Sequence, residues 1–208
     1  MKTRLRIRMS DNNNNSSSTT TNTSSSNEPS KLDIALLYKD EGNAFFKDQN
    51  YKKALVSYGK GLAYVRGLKG KRSKMMMSTL MPMYNDDNNN DSISDDDDNK
   101  AMLLEAILDT NVGVCYTKLG EPRKALEYYD KATTVDTTYW KALLRKSEAY
   151  LQLNLFSQAK NTLSSINTNT LKPEDIKAID ALMVKITKSE RIDDKKSGSA
   201  FKGIFNKL

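Results

Sequence analysis

The feature that most limits what this chain can fold into is a period of 34 residues. Tyr116 and Tyr150 lie that far apart, as do Leu119 and Leu153, Ala125 and Ala159, and Asn111 and Arg145. A period of this length is one supersecondary unit, and a unit that cannot bury its own apolar face must stack on its neighbours. The earlier stretch Gly42, Phe45, Tyr51, Ala54 and Tyr58 repeats the spacing of Gly113, Tyr116, Pro122, Ala125 and Tyr129, displaced by 71 residues. That displacement is one period of 34 plus a surplus of 37 residues, which is an insertion. Three repeats follow, at about 35–68, 106–139 and 140–173. The third is looser, with Leu163 and Ile166 where the second repeat has Tyr129 and Ala132.

The units are helical. Ala54, Leu55, Tyr58, Leu62 and Val65 fall on one stripe, and helical periodicity holds again from Ala101 to about Ile192. It is broken at Gly120-Glu-Pro122, at Asn154 and between Asn167 and Pro173. Strand patterns are absent, so the fold class is all-α. Order begins near Ser30. Pro173, followed by Glu174 and Asp175, starts a helix with acids where its dipole favours them. A helix over 173–192 is expected to cap the stack, leaving 193–208 as a C-terminal tail.

Hydrophobic residues make up only 38% of the chain, and low-complexity tracts account for the deficit. Residues 1–29 are dominated by Asn, Ser and Thr and bury too little to offset the entropy of ordering them, so a disordered tail is expected. The insertion, 69–100, runs from a basic stretch through a Met-rich one into Asn and Asp, and its middle is expected to be disordered. Asp95 to Asp98 lack the glycine and terminal glutamate of a calcium loop and read as a solvated charge run.

Several function classes drop away. With no histidine, the commonest general base and zinc ligand are missing, and no Gly-rich phosphate loop occurs. Catalysis, a metal, a cofactor and a small-molecule substrate are therefore not expected. Cys115 is the single cysteine, so no intrachain disulfide can form. With no secretion signal, a reducing compartment is expected. The cytoplasm is preferred, with the nucleus as an alternative. The Arg-rich start and Ser/Thr-rich run are similar to a mitochondrial transit peptide, but a disordered basic tail is the preferred reading. No apolar run is long enough to span a membrane. The net charge of +7 points to an acidic partner.

The 34-residue period and its small and aromatic positions resemble the tetratricopeptide repeat, a helix–turn–helix unit whose first helices line a concave surface. On those helices the sequence places Lys39 and Asn43, Asn111, and Lys141 and Arg145. Lys39 and Asn43 are four apart and share a face, as do Lys141 and Arg145. Asn111 and Arg145 hold one position in adjacent repeats. Three cations and two amides would converge in one groove, with no nearby acid required to neutralise them.

This set resembles the dicarboxylate clamp of tetratricopeptide domains that grip the C-terminal Asp of heat-shock chaperones of the 90 or 70 kDa class. The family pattern is Lys and Asn in the first repeat, Asn in the second, and Lys and Arg in the third. The resemblance implies a co-chaperone-like adaptor that holds an acidic chain end. Ala200-Phe-Lys-Gly-Ile-Phe205 is similar to the segment after the capping helix in immunophilin-type domains. Ser57-Tyr-Gly-Lys-Gly-Leu-Ala-Tyr-Val-Arg-Gly-Leu68 resembles the stand-alone tetratricopeptide repeat protein 9 family. Two other readings stay open. One is a scaffold for a different peptide, with the groove cations incidental. The other is nucleic-acid or condensate binding through the basic ends and the Asn tract, for which only Phe201–Phe205 offers aromatics among cations.

Overall fold

The protein's structure is a computed structural model that describes residues 29–68 and 95–205. Most of the expected N-terminal tail, and residues 69–94 of the expected insertion, lie outside the described residues. So do the side chains of Phe201 and Phe205. The described residues form seven helices and no strand: α1 (Lys31–Lys47), α2 (Tyr51–Arg66), α3 (Asp95–Lys118), α4 (Pro122–Val135), α5 (Trp140–Gln152), α6 (Phe156–Ser164) and α7 (Pro173–Phe205). Each packs on the next, and α1, α3, α5 and α7 also touch in succession. Those four form one wall of the stack.

The start of α1 is set by a capping box. Ser30 Oγ accepts from the Asp33 amide, and the Asp33 carboxylate accepts from the Ser30 amide, both at 3.1 Å. The turns between paired helices are built alike. The amides of Asn50, Glu121 and Leu155 donate to the carbonyls of Phe45, Tyr116 and Tyr150 at 2.8, 2.9 and 2.9 Å. One residue earlier, Gln49, Gly120 and Asn154 adopt φ of 57, 78 and 58°, the left-handed conformation that closes this helix ending. The three positions are related by the same spacing as the repeats.

Packing between paired helices depends on a missing side chain. A Cβ on Gly42 would fall inside the van der Waals surface of the Tyr58 ring, and one on Gly113 inside that of Tyr129. In the third repeat both partners change together. The equivalent residues are Ser147 and Leu163, where the smaller aliphatic side chain leaves room for a hydroxymethyl group. Ser147 Oγ then donates to the Ala159 carbonyl at 2.8 Å. The looser third repeat is thus a compensated exchange, and Ile166 lies buried with Ile179, Leu182 and Ile186 of the cap.

Two expected boundaries are corrected. Helix α3 begins at Asp95, inside the stretch assigned to the insertion (69–100). Its first turn carries acids at the positive end of the helix dipole, and Lys100 Nζ lies 2.9 Å from Asp96 and 3.3 Å from Asp97. Helix α7 continues past 192 through most of the expected tail, to Phe205. Residues 193–196 are exposed and contribute no core stripe, but 193–205 include no proline, and the glycines at 198 and 203 cost only about 1 kcal/mol each in a helix. Loss of apolar periodicity there marks where packing ends, not where the helix ends.

Across the insertion, α2 and α3 are joined by side chains. Arg66 Nε donates to Glu105 Oε1 at 2.6 Å, and its Nη2 donates to Asp109 Oδ1 and Oδ2 at 3.0 and 2.7 Å. Asp109 is fully buried while the Arg66 side chain is 44% exposed. Burial pushes the Asp109 carboxyl up to about 6, with Arg66 pulling the other way.

Candidate functional site

On the wall formed by α1, α3 and α5 lies a cavity of about 360 Å³. Four of the five side chains picked from the sequence line it: Asn43 from α1, Asn111 from α3, and Lys141 and Arg145 from α5. The repeat geometry explains the convergence, since these residues sit on the first helix of each pair and those helices stand side by side. Lys39 is not part of the lining. It lies one turn before Asn43 on α1, with its ammonium 3.5 Å from Asp40 and its side chain 25% exposed.

The rest of the lining is largely apolar and went unassigned at the sequence level. Phe46, Val114, Trp140 and Leu144 supply it, with the rings of Tyr58 and Tyr139. Such walls lower the polarity around a bound group and strengthen its charge interactions, although the Arg145 side chain itself is 47% exposed. Lys141 Nζ lies 5.6 Å from the centre of the Trp140 ring, and Lys141 has no ion pair among the described residues. Asn43 Oδ1 accepts from the Tyr58 hydroxyl at 2.9 Å. Tyr58 is buried, and that burial raises its hydroxyl above the usual range, so it stays a neutral donor.

Arg145 has an acid beside it on the same helix, Glu148. Its carboxylate takes both bonds of Arg145 Nη1, at 2.8 and 3.1 Å. The two are three residues apart on one helix, a spacing that brings side chains together, so the contact was readable in principle. Arg145 also borders a second, more polar cavity of about 470 Å³, to which Lys118, Gln152, Lys185 and Ser189 contribute. The groove therefore continues past Arg145 toward α7.

Cys115 is fully buried in the core, and burial pushes its thiol up to about 12. Among the described residues no group of His, Cys, Asp and Glu is arranged to hold a metal, and no helix is long and apolar enough to cross a membrane.

Comparison with known proteins agrees with this architecture. The family model "Tetratricopeptide repeat" matches residues 116–184. The human peptidyl-prolyl cis-trans isomerase FKBP4 is 27% identical over 137 residues, covering 64% of this chain and 24% of that protein. Human tetratricopeptide repeat protein 4 is 30% identical over 134 residues, covering 64% of this chain and 26% of that protein. The chain thus spans about a quarter of the length of these curated relatives. Among solved structures, the Hsp90 co-chaperone Cns1 from Saccharomyces cerevisiae superposes with a TM-score of 0.61 at 22% identity, covering 86% of this chain and 46% of that one. Three helix pairs with their repeated turns, a capping helix and these matches lead to one conclusion: the chain carries a tetratricopeptide-repeat domain, a protein-interaction module that resembles the immunophilin type.

Proposed function

We propose that this domain is an adaptor that docks the acidic C-terminal end of a heat-shock chaperone of the 90 or 70 kDa class and performs no catalysis of its own. The observation that carries the reading is the meeting of Asn43, Asn111, Lys141 and Arg145 around one cavity with apolar walls. A chain ending in Asp presents two carboxylates close together. Arg145 can hold one through two parallel N–H bonds, and Lys141 offers a compact charge beside it. The asparagine amides add donors without adding repulsion between cations. Lys39 supplies the fifth group by turning its ammonium from Asp40 toward the cavity mouth. The likeness to a structure named as an Hsp90 co-chaperone supports the choice of partner. A single cysteine leaves no intrachain disulfide to stabilise the fold, which suits a reducing compartment, and the cytoplasm is the proposed location.

The test is calorimetric titration with a peptide ending Met-Glu-Glu-Val-Asp, its terminal carboxylate free or amidated. Charge-assisted hydrogen bonds contribute about 1.5–3 kcal/mol each, so amidation, Lys141→Ala or Arg145→Ala should weaken binding by about 10- to 100-fold. Raising the salt should weaken it further. Equal affinity for both peptides would remove the proposal.

A further inference from the structure

An asparagine at a binding site can present either its NH₂ donors or its carbonyl acceptor, because the amide can be turned over without changing shape. At Asn43 that choice is made by Tyr58. The tyrosine hydroxyl on α2 donates to Asn43 Oδ1, and the residue is 2% exposed. If the amide were reversed, the hydroxyl would have to accept, and its own proton would lose the one acceptor it has among the described residues. Such an unpaired buried donor is costly. The Asn43 NH₂ is therefore the branch left over, and it has no hydrogen bond to any described residue.

Packing of the repeat does not require this contact. Tyr129 sits over Gly113 as Tyr58 sits over Gly42, yet its hydroxyl pairs with Thr117 at 3.0 Å. The residue in the second repeat that corresponds to Asn43 is Val114, and the third repeat has Leu163 in place of the tyrosine. The ring belongs to the repeat. The hydroxyl-to-amide bond belongs to the first repeat alone, at the edge of the cavity.

We infer that Tyr58 is a positioning residue that sets specificity: its hydroxyl holds Asn43 as a donor-only group, so that the cavity selects a carboxylate over a carboxamide at the end of a bound chain. This rests on the docking role proposed above. A carboxamide brings an NH₂ that needs an acceptor, and in this cavity it would meet the NH₂ of Asn43. Without the hydroxyl the amide can turn over and offer Oδ1 to that NH₂, and the distinction weakens.

The experiment compares affinities of the same peptide with a free or an amidated end, using the full chain. The readout is the ratio of the two. In Tyr58→Phe, which keeps the ring over Gly42, the ratio should fall by about 2- to 10-fold, the range spanned by one hydrogen bond. Tyr129→Phe loses the Thr117 contact but should keep the wild-type ratio, which separates orientation from general loosening. Asn43→Ala should lower the ratio as Tyr58→Phe does, and the double variant should lower it no further. A wild-type ratio near one removes the docking proposal and this inference with it. Wild-type discrimination that survives in Tyr58→Phe overturns this inference alone.

Discussion

Gln49→Gly should make the protein more stable, and the reason lies in the turn between α1 and α2. Gln49 holds φ of 57°, a conformation that costs an L-residue with a Cβ about 1–2 kcal/mol. Its side chain is exposed and forms no hydrogen bond with any described residue, so removing it forfeits no contact. Glycine adopts this conformation freely but loses about 0.4–1 kcal/mol through the greater freedom of the unfolded chain. The net gain is about 0.5–1 kcal/mol, or about 1–4 °C in melting temperature for a chain of this size. The second repeat provides the reverse test at the matching position. A Cβ on Gly120 would meet nothing within 4 Å, so Gly120→Ala should cost about 1 kcal/mol through conformation alone. Denaturant titration by circular dichroism, with calorimetric melting, measures both. If Gln49→Gly lowers the midpoint, or Gly120→Ala leaves it unchanged, the argument from left-handed strain is refuted.

Other expectations follow from packing and charge. Gly42→Ala and Gly113→Ala should each lower stability by about 1–3 kcal/mol, because a tyrosine ring must shift to admit the methyl group. The carboxyl of Asp109 is raised to about 6 in the folded chain against an ordinary value near 4. Between those values the folded state keeps a proton that the unfolded state has released, so its contribution to stability is full below about pH 4 and lost as pH rises through about 6. The difference in stability between the wild type and Asp109→Asn, followed by denaturant titration from pH 4 to 7, should show that slope. Cys115 should resist thiol reagents in the native protein and react once denaturant is added, as a spectrophotometric thiol assay would record.

Much of this architecture can be read from spacing. The 34-residue period gives the helix pairs, and four of the five polar residues picked on repeat positions line one cavity. The turn conformation is legible at Gly120 and Asn154, residue types that tolerate φ above zero, but hidden at Gln49, which does not advertise it. Apolar periodicity located the packed part of α7 and missed its extension, since a helix needs backbone bonds and not a buried face to continue. The Asp run opening α3 reads as solvated charge and stays exposed in the structure, but that it forms the first turn of a helix is not legible from its composition. Tyr58 is recognisable in the sequence as a repeat aromatic. That its hydroxyl turns Asn43 depends on two helices meeting side by side, which no local pattern records.

The grip of Arg66 on Glu105 and Asp109 has an engineering consequence. It joins the helices on either side of residues 69–94, so the register of the first repeat against the second does not depend on the chain that connects them. The entropic penalty of a connecting loop grows only by about 0.6 kcal/mol for each doubling of its length. This joint should therefore accept a shortened connection, a protease site or a whole reporter domain while the cavity on the wall of α1, α3 and α5 keeps its shape.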